Sequence, residues 1–303
     1  MITGISMDSR QVKSGALFIA TAKQSDQRQR HIAEALSSGA NAIVVDAACV
    51  ITVEYDGVKL IAIEALQSKI SEIAARFYGH PSLGLTIIAV TGTNGKTSVS
   101  QFIAQCLEFS GQACGVIGTL GSGRINDLNE TGMTTPNPVE LQATLAEFFK
   151  QSIKTVVIEA SSHALEQGRL NSVAVDVAVL TNLSRDHLDY HGTMARYGDA
   201  KKRLFSFVGL KTAVLNADDN LGQELMRELA LKGSVRVITY GQTMATTLAA
   251  NDVSATPKGL HFTLNTAASS ADITSSLFGL FNVDNLLATA GSLLAIGLSF
   301  EQV

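Results

Sequence analysis

The chain has no tryptophan, four prolines, three cysteines and only 6% aromatic residues. Each scarcity excludes something. Cys49, Cys106 and Cys114 form no CxxC pair and no Cys/His spacing that would hold zinc. An odd number of scattered thiols suits a reducing compartment, so a cytoplasmic location is expected. With so few prolines there is no Pro-rich linker. No stretch of about 18 apolar residues occurs, so no membrane insertion is expected. The opening Met1-Ile2-Thr3-Gly4 lacks the charged and apolar regions of a signal peptide. An excess of positive charge is missing too. The net charge of −4 gives no general attraction for nucleic acid, which is not expected as a partner.

What remains is a globular composition, 46% hydrophobic and 17% charged, with ample material for a core. At about 100–200 residues per domain, the 303 residues divide into two. Leu17–Ala20, Ala42–Val45 and Leu60–Ile63 are short apolar runs that suit buried strands. A helix is expected over His31–Leu36. A second, from Leu66 to Phe77, carries Ile70, Ile73 and Ala74 at helical spacing. His80-Pro81-Ser82-Leu83-Gly84 then punctuates the chain, which places a boundary between residues 1–83 and 84–303.

Beyond it, apolar runs Thr86–Val90, Thr155–Ile158, Val177–Leu180, Ala213–Leu215 and Val235–Ile238 are separated by helix-length segments. That pattern implies a parallel sheet covered on both faces. Residues 248–280 turn Ser/Thr-rich and alternating, with a Pro257-Lys258-Gly259 turn, as in a small antiparallel hairpin region. A last helix is expected over Val283–Ile296, ending at Gly297. The fold class is α/β: a small N-terminal α/β domain, then a P-loop-type, mostly parallel sheet with a small antiparallel extension.

Val90-Thr91-Gly92-Thr93-Asn94-Gly95-Lys96-Thr97-Ser98 is the sharpest signal. It is an apolar strand, a Gly-rich turn and the start of a helix. Glycines let backbone N–H groups approach phosphate, and the helix N-terminus adds partial positive charge. Lys96 would reach the terminal phosphates and Thr97 would ligate Mg2+. The full GxxxxGK[ST] pattern is not met, because Val90 stands at the first Gly position. The alternative is a plain strand-to-helix turn with a surface lysine. Glu159, at the end of Thr155–Ile158, fits a second Mg2+ ligand or a helix cap. In Asn182–Gly192, two His, two Asp and an Arg follow a strand, at the sheet edge where the P-loop lies. His187 there is a candidate cation ligand, or else part of a hydrogen-bonded polar loop. By charge alone, Lys201 and Lys202 are solvated lysines.

Together these motifs resemble the Mur ligase family, the ATP-dependent amide-bond synthetases of peptidoglycan assembly. The likeness is strongest to the branch that adds the third residue, a diamino acid, to UDP-MurNAc-L-Ala-D-Glu. It rests on Asp8-Ser9-Arg10, Gly15–Ala20, Thr91–Thr97, Thr134-Thr135-Pro136, Glu159–Leu165, Ser184–Gly192, Asn216–Asp219 and Gly279–Asn285. The resemblance implies an acyl-phosphate mechanism, with ATP, Mg2+ and a CO2-derived carbamate on Lys201. Lys96, Lys201 and His187 would be catalytic. Gly92, Thr93, Asn94, Gly95, Lys96, Thr97, Ser98, Asn282 and Asn285 would hold the nucleotide. Thr97, Glu159, His187 and the modified Lys201 would serve the metal. Met7, Ser9 and the loop Gln24, Ser25, Asp26 would contact the UDP-sugar. Thr134, Thr135, Ser161, Gln167 and Arg169 would hold the muramoyl-dipeptide. Where the family usually has an Asp-Gly loop, this chain reads Ala22–Arg28. The resemblance also implies a monomer, and a third, amino-acid-binding domain of about 150 residues beyond Val303. Alternatives are a MurF-like or folylpolyglutamate synthase-like ligase with another acceptor, or a non-catalytic nucleotide- or UDP-sugar-binding module.

Overall fold

The computed structural model describes residues 1–49, 58–243 and 245–303. The N-terminal part holds β1 (Gly4–Ser6), β2 (Ala16–Ala20), α1 (Ser25–Ser37), β3 (Ala42–Asp46), β4 (Lys59–Ile63) and α2 (Leu66–Phe77). Its strands pair in parallel in sequence order. Successive strand residues face opposite sides, so Phe18, Ala20, Ile43 and Val45 pack with Ile32 and Ala35 of α1. Ile19 and Val44 pack with Leu66, Ile70 and Ala74 of α2.

The rest of the chain builds one sheet. In chain order its elements are β5 (Thr86–Thr91), α3 (Lys96–Phe109), β6 (Cys114–Gly118), β7 (Gly121–Arg124), β8 (Asp127–Asn129), α4 (Pro138–Lys150), β9 (Thr155–Glu159), α5 (Ser162–Glu166) and β10 (Val177–Leu180). There follow α6 (Leu188–His191), α7 (Met194–Lys202), β11 (Thr212–Asn216), α8 (Asn220–Lys232), β12 (Arg236–Gly241), β13 (Leu248–Thr256), β14 (Gly259–Asn265), β15 (Ser270–Ser275) and α9 (Phe281–Ala295). Across the sheet the order is β15-β14-β13-β12-β11-β10-β5-β9-β6-β7-β8. The expected parallel centre is present. The expected antiparallel extension is present as well: β13 pairs in parallel with β12, and β14 and β15 follow it antiparallel in the same sheet. The opposite edge differs from expectation: β6, β7 and β8 add an antiparallel meander. Gly118, Gly121 and Gly123 dilute its apolar alternation, which hides it in the sequence.

Alternation again splits the core. Ile87 and Ala89 of β5 face α4 and α8, while Ile88 and Val90 face α3 and α9. Val90 is fully buried and lies opposite Glu159 in the ladder. The position that lacks the first glycine is thus a strand residue rather than part of the turn. The two sheets meet where Ser71 of α2 accepts Ser172 N–H at 3.0 Å and Ser82 accepts Ala174 N–H at 3.0 Å. Val139 of α4 joins the core under α2.

Candidate active site

β9, β5 and β10 are neighbours, so the loops that leave their carboxyl ends converge. The turn after β5 is set by its glycines. Gly92 (φ 151°) and Gly95 (φ 84°) hold left-side conformations, and a Cβ would strike Thr181 Oγ1 at the first and Asn285 Oδ1 at the second. Gly95 caps α3 without a side chain, so the first N–H groups of the helix remain free for an anion. The loop is braced from β10: Asn182 Oδ1 accepts Asn94 N–H at 3.0 Å and Thr181 Oγ1 donates to Asn94 O at 2.6 Å.

Two lysines converge on this turn. Lys96 Nζ donates to Gly92 O and Thr93 O, both at 2.9 Å. Lys201 Nζ, on α7, donates to the same Gly92 O at 2.7 Å and lies 4.2 Å from the centre of the Tyr197 ring. Lys201 is 1% exposed, which overturns the reading of it as a solvated lysine. Lys202 fits that reading better: it reaches out to Glu224 and to Glu228. Burial, and then the charge of Lys96, lower the Lys201 pKa to about 7 despite the opposing Asp186. Lys96 is also lowered by burial, against the pull of Glu159 and Asp186. Two desolvated cations this close call for an anion between them.

Glu159 is fully buried. Its Oε2 accepts from Thr97 Oγ1 and Thr119 Oγ1, each at 2.9 Å, and its Oε1 accepts Thr119 N–H at 3.0 Å. It is not the cap of α5. Ser161 is, accepting Ala164 N–H at 3.2 Å. Thr119 was not picked out from the sequence, for it lies in the unrecognised meander.

A cavity of about 250 Å3 brings together Lys96, Thr134, Thr135, Ser161, Arg169, His187 and Lys201. Arg169 is held from behind: its Nη1 donates to Thr135 O at 2.6 Å, and its Nε and Nη2 donate to Gln167 Oε1 at 3.0 and 2.7 Å. Gln167 does not line this cavity. It faces a second one of about 610 Å3, near the N-terminal sheet, and donates to Tyr190 OH at 3.1 Å. His187 takes a left-handed backbone (φ 50°) before α6, and His163 stacks edge-on to it at 4.9 Å. His191 is buried, with Nε2 3.0 Å from Ser162 Oγ and Nδ1 facing Glu166 at 3.3 Å.

The expected sugar-contact residues lie on several elements of the N-terminal part. Ser25 and Asp26 are not loop residues but the first turn of α1, with Gln24 at the cap position. None of Met7, Ser9, Gln24, Ser25 or Asp26 lines the cavity beside the N-terminal sheet; Thr21, Ala22, Lys23 and Arg28 do. Ser9 is buried and donates to Glu34 at 2.6 Å. Arg28 escaped notice because it lies in a polar helix, yet it is buried and donates to Ala22 O at 2.9 Å. Asn285 and Ser98 line a further cavity of about 440 Å3 beside the P-loop, with Phe281 and Asp284. Asn282 braces it from behind, accepting from Asn285 Nδ2 at 2.9 Å.

A P-loop at the centre of a mostly parallel sheet, with a buried carboxylate on its Thr and two lysines on one carbonyl, defines a nucleotide-binding α/β protein. Residues 90–293 match the Mur ligase middle domain, and the chain belongs to the Mur ligase family. It is 42% identical over 304 residues to the UDP-N-acetylmuramoyl-L-alanyl-D-glutamate–2,6-diaminopimelate ligase of Pseudomonas syringae, covering 100% of this chain and 62% of that protein. A solved structure of a ligase of the same name is 35% identical with a TM-score of 0.88, over 99% of this chain and 61% of that one. MurF from Acinetobacter baumannii shares the fold at 20% identity and a TM-score of 0.73, over 99% of this chain and 61% of that one. The chain thus spans about three-fifths of the length of these relatives.

Proposed function

We propose that this chain carries the UDP-sugar-binding part (residues 1–83) and the ATP-binding part (residues 84–303) of a cytoplasmic amide ligase. The ligase would add diaminopimelate or lysine to UDP-MurNAc-L-Ala-D-Glu. The observation that carries the reading is the single cavity in which Lys96 and the buried Lys201 face Thr134, Thr135 and Arg169. A phosphate-binding group and a carboxylate-binding group there share one space. The higher identity to the diaminopimelate ligase, 35% against 20% for MurF, supports this acceptor over a MurF-like one.

In this reading the P-loop N–H groups and Lys96 bind the phosphates of ATP. Arg169 and Thr134 orient the D-glutamate side chain. Its carboxylate oxygen attacks the γ-phosphorus, the β–γ bridging bond breaks, and ADP leaves. The amine of the incoming amino acid then attacks the acyl carbon and loses a proton as phosphate departs. Catalysis is positioning plus charge stabilisation, with no covalent enzyme intermediate. Thr97 and Glu159 suit Mg2+ because hydroxyl and carboxylate are hard oxygen donors, here held 2.9 Å apart. Among the described residues no three His, Cys, Asp or Glu converge, so such an ion would draw its remaining ligands from phosphate and water. Bound there, Mg2+ supplies charge neutralisation at the transferring phosphoryl group. Lys201 near pKa 7 holds enough neutral amine to take up CO2 with loss of a proton. The carbamate would give His187's side of the cavity an oxygen ligand.

Two substitutions test the reading in a protein of the relatives' full length. Lys96→Ala is expected to abolish ATP-dependent phosphate release; near wild-type turnover removes the P-loop assignment. Lys201→Ala is expected to lose activity that short carboxylic acids partly restore. An unimpaired variant removes the carbamate.

A further inference from the structure

This inference rests on the reading of Arg169 as the group that orients the D-glutamate side chain, and concerns what holds Arg169 in place. Gln167, Gly168 and Arg169 leave the C-terminus of α5 along a fixed backbone path. Arg169 N–H donates to Ala164 O at 2.9 Å and Gly168 N–H to Leu165 O at 3.3 Å, with Gly168 left-handed (φ 68°). The side chains are less constrained, because glutamine and arginine are long and lose much rotamer freedom when fixed. The backbone alone therefore does not set where the guanidinium points.

Hydrogen bonds do. Arg169 Nη1 donates to Thr135 O at 2.6 Å, while Nε and Nη2 both donate to Gln167 Oε1, at 3.0 and 2.7 Å. Those two bonds occupy both lone pairs of the amide oxygen, so Gln167 swings with the guanidinium unless it is anchored itself. The anchor sits on another element: Gln167 Nε2 donates to the hydroxyl oxygen of Tyr190, on α6, at 3.1 Å. The Tyr190 ring is held in turn, 4.1 Å from the centre of the His163 ring and edge-on to His191 at 4.8 Å. The chain of contacts thus runs from Tyr190, which lines the cavity of about 610 Å3, to Arg169, which lines the one of about 250 Å3 with Lys96 and Lys201. In the sequence Tyr190 stands among histidines and aspartates and carries no chemical signal of its own.

We infer that Tyr190 is a positioning residue for binding of the muramoyl-dipeptide: its hydroxyl anchors Gln167, and through Gln167 it fixes Arg169 toward the D-glutamate carboxylate. Without that hydroxyl Arg169 keeps its bond to Thr135 O, but its Gln167 side is free to move. Ordering the pair then falls to the ligand and weakens its binding. Phenylalanine at this position keeps the ring against His163 and His191 and removes only the oxygen that accepts from Gln167.

The test is steady-state kinetics of Tyr190→Phe, Gln167→Ala and the double variant, in a protein of the relatives' full length that carries this chain. Tyr190→Phe is expected to raise the KM for UDP-MurNAc-L-Ala-D-Glu about three- to tenfold, the range of one neutral hydrogen bond. The kcat and the KM for ATP should stay within about twofold of wild type, as for a residue that serves binding of one substrate. In the Gln167→Ala background, Tyr190→Phe should change the KM by no more than about 1.5-fold, because the hydroxyl acts through the amide that is already gone. An unchanged KM in Tyr190→Phe overturns the assignment. So does an equal penalty in both backgrounds, which would mean that the hydroxyl acts without Gln167. A matching rise in the KM for ATP marks a general disturbance and overturns it as well. If the wild-type protein releases no phosphate with this substrate, the functional reading fails instead, so the two failures are told apart.

Discussion

Lys201 places an ammonium group where there is almost no solvent, against a carbonyl it shares with Lys96. Its pKa is about 7 in the folded chain against an ordinary 10.5. Between those values the unfolded chain binds the extra proton, so this residue makes stability rise with pH across that window; below about 7 its burial penalty is present in full. In CO2-free buffer, the denaturation midpoint of wild type should therefore rise between pH 7 and 9 by more than that of Lys201→Met. Equal slopes would mean that the amine is not desolvated as described. Composition and charge pattern could not reveal this, because a lysine beside a lysine on a short helix reads as surface. Only the family resemblance, which implied a carbamate on Lys201, pointed the other way. Glu159 was legible by its place at a strand end. Thr119 and Arg28 were not, since neither residue type in its local pattern signals burial.

At the scale of elements, the β5–turn–α3 unit is the most legible part of the chain. Its apolar strand, its glycines and its helical face at Val99 and Ile103 all point to the same structure. Ile103 is fully buried in the core shared with α9. Ile103→Ala should cost about 2–5 kcal/mol in chemical denaturation. Asn137 caps α4 by accepting Val139 N–H at 3.0 Å and Glu140 N–H at 3.1 Å. Asn137→Ala should cost about 0.5–2 kcal/mol, read in the same way. The elements missed were those whose local signal is weak: the glycine-diluted β7, and the first turns of α1, where Ser-Asp-Gln-Arg offers no apolar stripe before Ile32.

For the molecule as a whole, the sequence conveyed a parallel sheet with an antiparallel extension after β12, but not the meander β6-β7-β8 at its other edge. The joint between the two sheets was equally hidden, because it hangs on serines. Ser71 is buried and satisfies Ser172 N–H across that joint. Ser71→Ala should leave that donor unpaired and destabilise the protein by about 1–3 kcal/mol, seen as an earlier thermal transition. Among the described residues no helix is long and apolar enough to cross a membrane. The two sheets and the cavities beside them are the parts on which the proposed function rests.

The most direct measurement is phosphate release from ATP by a protein of the relatives' full length that carries this chain, with a panel of acceptors. The account predicts release only when UDP-MurNAc-L-Ala-D-Glu and a diamino acid are both present, and none with Lys96→Ala. Release driven instead by a folate with glutamate, or by UDP-MurNAc-tripeptide with D-alanyl-D-alanine, would contradict it.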